Sequence, residues 1–107
     1  MSLDISLQQM QMVDVHSQNI THNLAAMADE AGIYKHLWRP EEIGIETAEQ
    51  LILPLRAAII RMAADPARFI RHNAENGWGT YYQFLPWLRE LLEACEENPD
   101  ATVVSHR

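Results

Sequence analysis

At 107 residues, with 48% apolar and 21% charged residues, the chain has the size and composition of a single globular domain that needs no disulfide. Its formal net charge of −7 repels a phosphate backbone, which disfavours general binding of DNA or RNA. No apolar run approaches the roughly 20 residues of a membrane-spanning helix, and no signal-peptide pattern is present, so we expect a cytoplasmic protein without membrane association. The single cysteine, Cys95, lies among apolar residues and is expected to be a buried, unreactive thiol.

Both ends of the chain have the pattern of β-strands. Residues 2–7 alternate between polar and apolar side chains, which is the period of a strand with one buried face. The alternation changes phase after Gln9, and this predicts a bulge or a tight reversal into a second strand that includes Val15. Residues 102–104 are rich in β-branched side chains and predict a third strand, paired with the N-terminal residues.

The middle of the chain is helical by its apolar periodicity. The three main helices are predicted over residues 21–31, 47–64 and 81–97. Pro40 and Pro66 each occupy the first position of a shorter helical segment, where proline is favoured. The predicted fold is therefore α+β: a small antiparallel sheet from the N- and C-terminal segments, covered by three main α-helices, in one domain over residues 1–107.

Several residues predict where these helices begin and end. Asn19 or Thr21 is the expected N-cap of the first main helix, and Gly32 suits the left-handed position that ends it. Asp65 is the expected cap of the short helix at Pro66. The Thr80-Tyr81-Tyr82-Gln83 segment has the spacing of a capping box and predicts the start of the last helix.

Three short clusters combine aromatic rings with hydrogen-bonding side chains. They are Asn19-Ile20-Thr21-His22-Asn23, Leu37-Trp38-Arg39-Pro40 and Asn76-Gly77-Trp78-Gly79-Thr80-Tyr81-Tyr82. Indole faces suit stacking, whereas amide, imidazole and guanidinium groups suit orienting a ligand. We expect the clusters to line one pocket, with the following ligand-binding residues: Asn19, His22, Asn23, Trp38, Arg39, Asn76, Trp78 and Tyr81.

Two of these residues have alternative roles on sequence grounds. His22 either satisfies backbone groups at a helix start, contacts a ligand, or acts as a general base with Asp14 as its carboxylate partner. Trp78, between two glycines, either docks into the core or forms an aromatic wall for a planar ligand. Trp87, within the last predicted helix, is expected to belong to the core.

No pattern in the chain matches a known reaction template. There is no nucleophile-elbow serine, no glycine-rich phosphate loop and no close carboxylate pair, so we expect no catalytic residue and no cofactor. The five histidines include no i, i+4 pair, so we expect no metal site. His16 and His106 are expected to be neighbours on paired terminal strands.

The three clusters, in this order, resemble a family of small uncharacterised proteins encoded by tailed phages and prophages. The resemblance is carried by Asn-Ile-Thr-His-Asn at 19–23, Leu-Trp-Arg-Pro-Glu-Glu at 37–42 and Asn-Gly-Trp-Gly-Thr-Tyr at 76–81. The chain departs from the family in its N-terminal hairpin, which is compressed to residues 8–17. The resemblance implies an origin in a mobile element and a cytoplasmic setting in the host cell, and it implies no catalytic residue.

These observations favour a non-catalytic binding module, with counter-defence by sequestration of a nucleotide-like signal as its expected role. The alternative is a protein–protein inhibitor that binds a host defence protein through an acidic surface. An enzyme with His22 as its base and a structural role in the virion are further alternatives. A homodimer is expected, because a sheet of three strands leaves edges that can pair across a two-fold axis.

Overall fold

The computed structural model describes residues 2–10 and 13–107 and confirms the α+β class. Its sheet contains β1 (Ser2–Gln9), β2 (Val13–Thr21) and β3 (Thr102–His106), antiparallel and in the spatial order β2-β1-β3. The α-helices are α1 (Ala25–Glu30), α2 (Tyr34–Trp38), α3 (Glu49–Ala64), α4 (Pro66–Ile70) and α5 (Tyr81–Glu97). Within the described ranges, no helix combines the length and the apolar character that crossing a bilayer requires.

The sheet is organised around β1, whose apolar side chains all face the helices. Leu3, Ile5 and Leu7 are fully buried, as the alternating pattern predicts. The pairing of β1 with β2 shifts register between Leu7 and Gln8, which confirms the predicted bulge. Part of the predicted reversal falls on residues 11 and 12, which lie outside the described residues.

The pairing of β3 with β1 confirms the third predicted strand and corrects one expected contact. His16 lies opposite Leu7 on β2, whereas His106 lies opposite Asp4 on β3. The two histidines are therefore on opposite edge strands with β1 between them, and they are not neighbours. The expectation was wrong because the hairpin places β2 on one side of β1, which leaves the other side for β3.

The helix layer fixes β2 through Trp87 on α5. The Trp87 indole Nε1 donates to the Asn19 carbonyl over 2.9 Å, and the Gln18 amide donates to the Trp87 carbonyl over 3.1 Å. Trp87 is 8% exposed, so its assignment to the core is confirmed. Because these bonds secure the backbone beside Asn19, the strand is firmly placed just before it enters the candidate site.

The first helical region begins later than its periodicity predicts. β2 remains extended through Thr21, which pairs with Ser2, and a 3₁₀ turn over His22–Leu24 precedes α1. The Thr21 hydroxyl accepts from the Asn23 backbone N–H over 3.2 Å, so Thr21 does act as a cap. Gly32 has a φ of +76° and confirms the predicted left-handed end.

The two short helices differ in how far local pattern indicates them: α4 confirms the helical segment predicted at Pro66, whereas α2 was not predicted. Helix α2 has five residues, and its N-terminus has no side-chain cap. Asp65 precedes α4 as expected, but its side chain caps nothing, which corrects that assignment. Both helices are short, and Leu37 and Phe69 fix them by inserting completely into the core.

Helices α3 and α5 each have a glutamine in the first turn that bonds the preceding loop in the same way. The Gln83 carbonyl oxygen accepts from the backbone N–H groups of Gly79 and Thr80, and its amide donates to the Gly77 carbonyl. Gln50 makes the equivalent three bonds to Glu46, Thr47 and Gly44, at the same sequence offsets. The capping box predicted at residues 80–83 is thus confirmed, and each glutamine ties a preceding loop to its helix.

A candidate ligand-binding groove

A groove of about 890 Å³ lies where the end of the β1–β2 pair meets the loop that precedes α5. Most of its lining side chains are polar and uncharged: Ser2, Asn19, Thr21, His22, Asn23, Asn76 and Gln83. Ile20, Trp78, Gly77 and Gly79 complete the lining. The site thus combines one large aromatic face with amide, hydroxyl and imidazole groups.

Strand pairing supplies one wall of this groove. Ser2 lies directly opposite Thr21, and Asp4 lies opposite Asn19. Because side chains alternate along a strand, Asn19 and Thr21 project from the sheet face away from Gln18, whose amide bonds to the helix layer. The polar residues of the Asn19–Asn23 cluster therefore reach the groove while the intervening residues hold the strand in place.

The opposite wall is a loop whose backbone is held by side chains from three segments. The Asn23 side-chain amide donates to the Trp78 carbonyl over 2.7 Å, and the Trp78 N–H donates to Asn76 Oδ1 over 2.9 Å. Gln83 binds the same loop at Gly77 and Gly79. These bonds fix the loop conformation without using the indole of Trp78.

Trp78 is consequently a rigidly mounted but solvent-facing aromatic residue. Its side chain is 71% exposed. The alternative in which Trp78 docks into the core is therefore wrong, because the loop packs through its backbone and not through the indole. An exposed indole beside polar groups is a feature that protein stability does not require.

Close packing of this loop on the 3₁₀ turn depends on Gly79. Its φ of +116° is a conformation that side chains other than glycine rarely adopt. A Cβ there would lie 3.0 Å from the Asn23 Cβ and 3.1 Å from the Thr21 Cγ2. Glycine at this position therefore lets the two polar clusters approach each other.

His22 is oriented from beneath by Trp38. The Trp38 indole Nε1 donates to His22 Nδ1 over 2.8 Å. Because Nδ1 accepts this bond, the proton of the neutral imidazole is on Nε2, and the ring presents an N–H donor at its other nitrogen. Trp38 itself is 2% exposed and stacks on Tyr34, with ring centroids 5.5 Å apart.

The structure brings together most, but not all, of the sequence-predicted site residues. Those that line the groove are Asn19, His22, Asn23, Asn76 and Trp78. Ser2 and Gln83 also line the groove but were not predicted from the sequence. The signal for Gln83 was present in the capping box, whereas Ser2 enters the groove only through its register with Thr21.

Three predicted site residues lie outside the groove lining. Trp38 is buried beneath His22 and affects the groove only through it. Arg39 is occupied elsewhere, by the Tyr34 hydroxyl and by Glu42 at 3.1 Å. Tyr81 is 5% exposed, and its hydroxyl donates to the Met62 carbonyl in the core.

The groove chemistry is that of recognition by neutral groups. Its lining, drawn from the described residues, includes neither a carboxylate nor a thiol. Asp14, the expected partner of His22 in general-base chemistry, instead accepts from the Gln8 amide over 2.9 Å. Cys95 is fully buried, and burial raises the pKa of its thiol to about 12.

Potential metal ligands are dispersed across the described residues. Over 2–10 and 13–107 no three His, Cys, Asp or Glu side chains cluster in a way that would hold an ion.

Comparison of the chain with protein-family models, with curated proteins and with solved structures gives no significant match.

Proposed function

We propose that this protein is a non-catalytic binding module whose groove holds a planar, nucleotide-type ligand against Trp78. The observation that carries the proposal is the exposed Trp78 indole on a loop whose backbone is hydrogen-bonded by the side chains of Asn23, Asn76 and Gln83. Stacking of a base on an aromatic side chain contributes about 1–3 kcal/mol to binding. Because the loop is already ordered, little of that gain is lost to fixing it on binding.

The polar lining supplies the orientation that stacking lacks. An aromatic face accepts any planar ring, so selectivity must come from hydrogen bonds at the ring edge. His22, Asn23 and Asn76 lie beside the indole in the same groove. Together they suit a heterocycle with several polar edge atoms better than a purely apolar ligand.

The biological role that we propose is sequestration of a nucleotide signal in the cell that harbours the gene. This part of the proposal is supported by the resemblance of the three clusters to phage and prophage proteins. Sequestration requires tight binding without turnover, and a neutral groove without a placed nucleophile suits that requirement.

Thermal shift and calorimetry against a panel of nucleosides, linear nucleotides and cyclic nucleotides test the proposal. A ligand at 100 times its Kd stabilises the folded protein by about 2.7 kcal/mol, which is readily measured. The Trp78→Ala variant should lose about 5- to 150-fold in affinity, since stacking is worth about 1–3 kcal/mol.

Tyr82→Ala is the matched control for this variant. Tyr82 is 72% exposed and lies in the same stretch of chain, but it is not part of the groove lining. The Tyr82→Ala variant should bind the ligand with the same affinity as the unmodified protein. Failure of the whole panel to raise the melting temperature would reject the proposal, as would equal affinities for the Trp78→Ala variant and the parent.

We also infer a homodimer formed through the open part of the β2 edge. The outer edge of β3 is partly covered, because the Val103 N–H donates to the Glu46 carbonyl. Over residues 13–17, by contrast, no other described segment pairs with the outer backbone of β2, and Val13 and Val15 are exposed. Light scattering should give twice the chain mass, and a monomeric mass would refute the dimer.

A further inference from the structure

Among residues 2–10 and 13–107, the groove lining contains neither lysine nor arginine. Seven of the eight basic side chains in the chain are bound to protein groups elsewhere: Lys35, Arg39, Arg56, Arg61, Arg68, Arg71 and Arg107. The eighth, Arg89, lies on α5 outside the lining. Within the part of the chain that the structure describes, a phosphate bound in the groove would therefore meet no lysine or arginine of the lining, although phosphate sites are normally built from these residues.

Two acidic residues adjoin residues of the lining. Asp4 is the cross-strand partner of Asn19, and Glu75 directly precedes Asn76 in the loop; both are exposed. The formal net charge of −7 has the same sign. A phosphate that approached the groove would thus be repelled both locally and by the protein as a whole.

The hydrogen-bonding groups in the groove form a mixed set. His22 presents its Nε2–H donor, because Trp38 occupies Nδ1. Asn76 uses its oxygen on the Trp78 N–H, which leaves its NH₂ donor, whereas Asn23 uses its NH₂ on the Trp78 carbonyl, which leaves its oxygen acceptor. Backbone partners define both amide orientations. Neighbouring donors and acceptors match a nucleobase edge, whereas a phosphate can only accept.

We propose that the groove recognises the uncharged nucleoside part of its ligand and leaves any phosphate outside in solvent. This inference rests on the proposed function and specifies its ligand class. The base stacks on Trp78, and its edge meets His22, Asn23 and Asn76. Phosphates then add repulsion without adding contacts, so each added phosphate lowers affinity.

Calorimetric titration of one nucleoside with its mono-, di- and triphosphate tests the inference, using the base that binds best. The nucleoside should bind most tightly and the triphosphate most weakly, and the difference should shrink as salt screens the repulsion. Affinity that rises with phosphate number would overturn this inference while leaving nucleotide binding itself intact. Absence of binding by all four compounds would instead reject the proposed function and this inference with it.

A charge-insertion pair sharpens the test. Ser2→Lys places a cation at the groove, whereas Thr102→Lys introduces the same charge at an exposed β3 position outside the lining. Ser2→Lys should raise triphosphate affinity about 1.5- to 5-fold relative to the nucleoside, as expected for one added surface ion pair. Thr102→Lys should leave that ratio unchanged. If Ser2→Lys left the ratio of triphosphate to nucleoside affinity unchanged, electrostatic repulsion at the groove would not determine the order of the affinities, and the inference would be overturned.

Discussion

The buried indole of Trp38 donates a 2.8 Å hydrogen bond to Nδ1 of His22, and the two rings lie 6.3 Å apart between centroids. One residue belongs to a helix that the sequence pattern did not reveal, and the other to the turn that follows β2. The contact explains how a partly exposed histidine acquires a defined proton position, because its inner nitrogen has a fixed donor. Trp38 is therefore a positioning residue for the groove and lies outside its lining.

Replacing Trp38 by Phe should release His22 from its single tautomer. The variant keeps an aromatic ring but removes the N–H donor, so the His22 tautomer with its proton on Nδ1 becomes populated. Loss of the hydrogen bond and of the indole volume should lower the free energy of unfolding by about 1–3 kcal/mol. Long-range proton–nitrogen NMR spectra at mildly alkaline pH distinguish the tautomers.

Trp87→Phe is the matched control, because the Trp87 indole makes a 2.9 Å bond to a carbonyl at similarly low exposure. It should lose comparable stability while His22 keeps its proton on Nε2. A wild-type spectrum that showed His22 protonated at Nδ1 would contradict the described contact.

Replacing Gly79 by Ala should destabilise the protein more than replacing Gly77 by Ala. At Gly79 both the φ of +116° and the contacts with Asn23 and Thr21 oppose a Cβ, which predicts a loss of at least about 2–3 kcal/mol. At Gly77 the φ is +78° with no atom within 4 Å, so only the left-handed conformation opposes alanine, at about 1–2 kcal/mol. Denaturant unfolding measures both; equal losses would contradict the tight loop packing.

Replacing Gln83 by Ala should weaken ligand binding as well as stability. The variant loses the bonds that hold Gly77, Gly79 and Thr80, and we expect about 1–2 kcal/mol of lost stability and faster hydrogen exchange in residues 77–80. Gln50→Ala removes the same set of bonds before α3, far from the groove in sequence, and controls for the stability effect. A similar loss of ligand affinity in both variants would show that the effect is global.

Replacing Glu30 by Gln should reduce stability at neutral pH and lessen its decline in acid. Hydrogen bonds from Arg71, Arg68 and His72, in that order of effect, lower the pKa of Glu30 from its ordinary 4.5 to about 2. Because the folded pKa lies below the unfolded one, the ionised carboxylate stabilises the fold above about pH 4.5. That contribution is lost as pH falls toward about 2.

Chemical unfolding at a series of pH values compares this variant with the unmodified protein. The stability difference between them should be largest near neutrality and should shrink between about pH 4.5 and 2. Glu93→Gln alters an exposed carboxylate on α5 for which the described residues provide no ion pair, and it should show no such convergence. A pH-independent difference for Glu30→Gln would contradict the ion-pair network.

The elements that sequence predicted well are those with a local physical cause. The alternation of polar and apolar residues predicted β1, and the β-branched residues predicted β3. The capping box predicted where α5 begins. Helix α2 lacks a side-chain cap and spans little more than one turn, so its stability comes from burial of Leu37 and Trp38. Local propensity alone rarely stabilises so short a helix in water, which is why no pattern indicated it.

The candidate site also has some features that local sequence indicates and others that depend on tertiary packing. Residue type and spacing indicated three polar-aromatic clusters, of which those at residues 19–23 and 76–82 contribute side chains to the groove lining, because more amides and indoles than helix starts need can be recognised from sequence alone. Whether a tryptophan is buried or exposed depends on packing partners distant in the chain: Trp38 and Trp78 have similar polar neighbours in sequence but are 2% and 71% exposed. Arg39 likewise lies outside the groove lining, because its guanidinium bonds to Glu42 and Tyr34.

By itself the sequence determined the α+β class, the approximate ends of most elements and the chemical character of the groove, since periodicity, capping and side-chain type act over a few residues. Only the tertiary structure decided that the Asn23 side chain bonds Trp78 across 55 positions, that Trp38 orients His22, and that the groove lining formed by the described residues includes no lysine or arginine. Those outcomes depend on register, on the left-handed backbone at Gly79 and on competition among distant partners, which are properties of the folded chain as a whole.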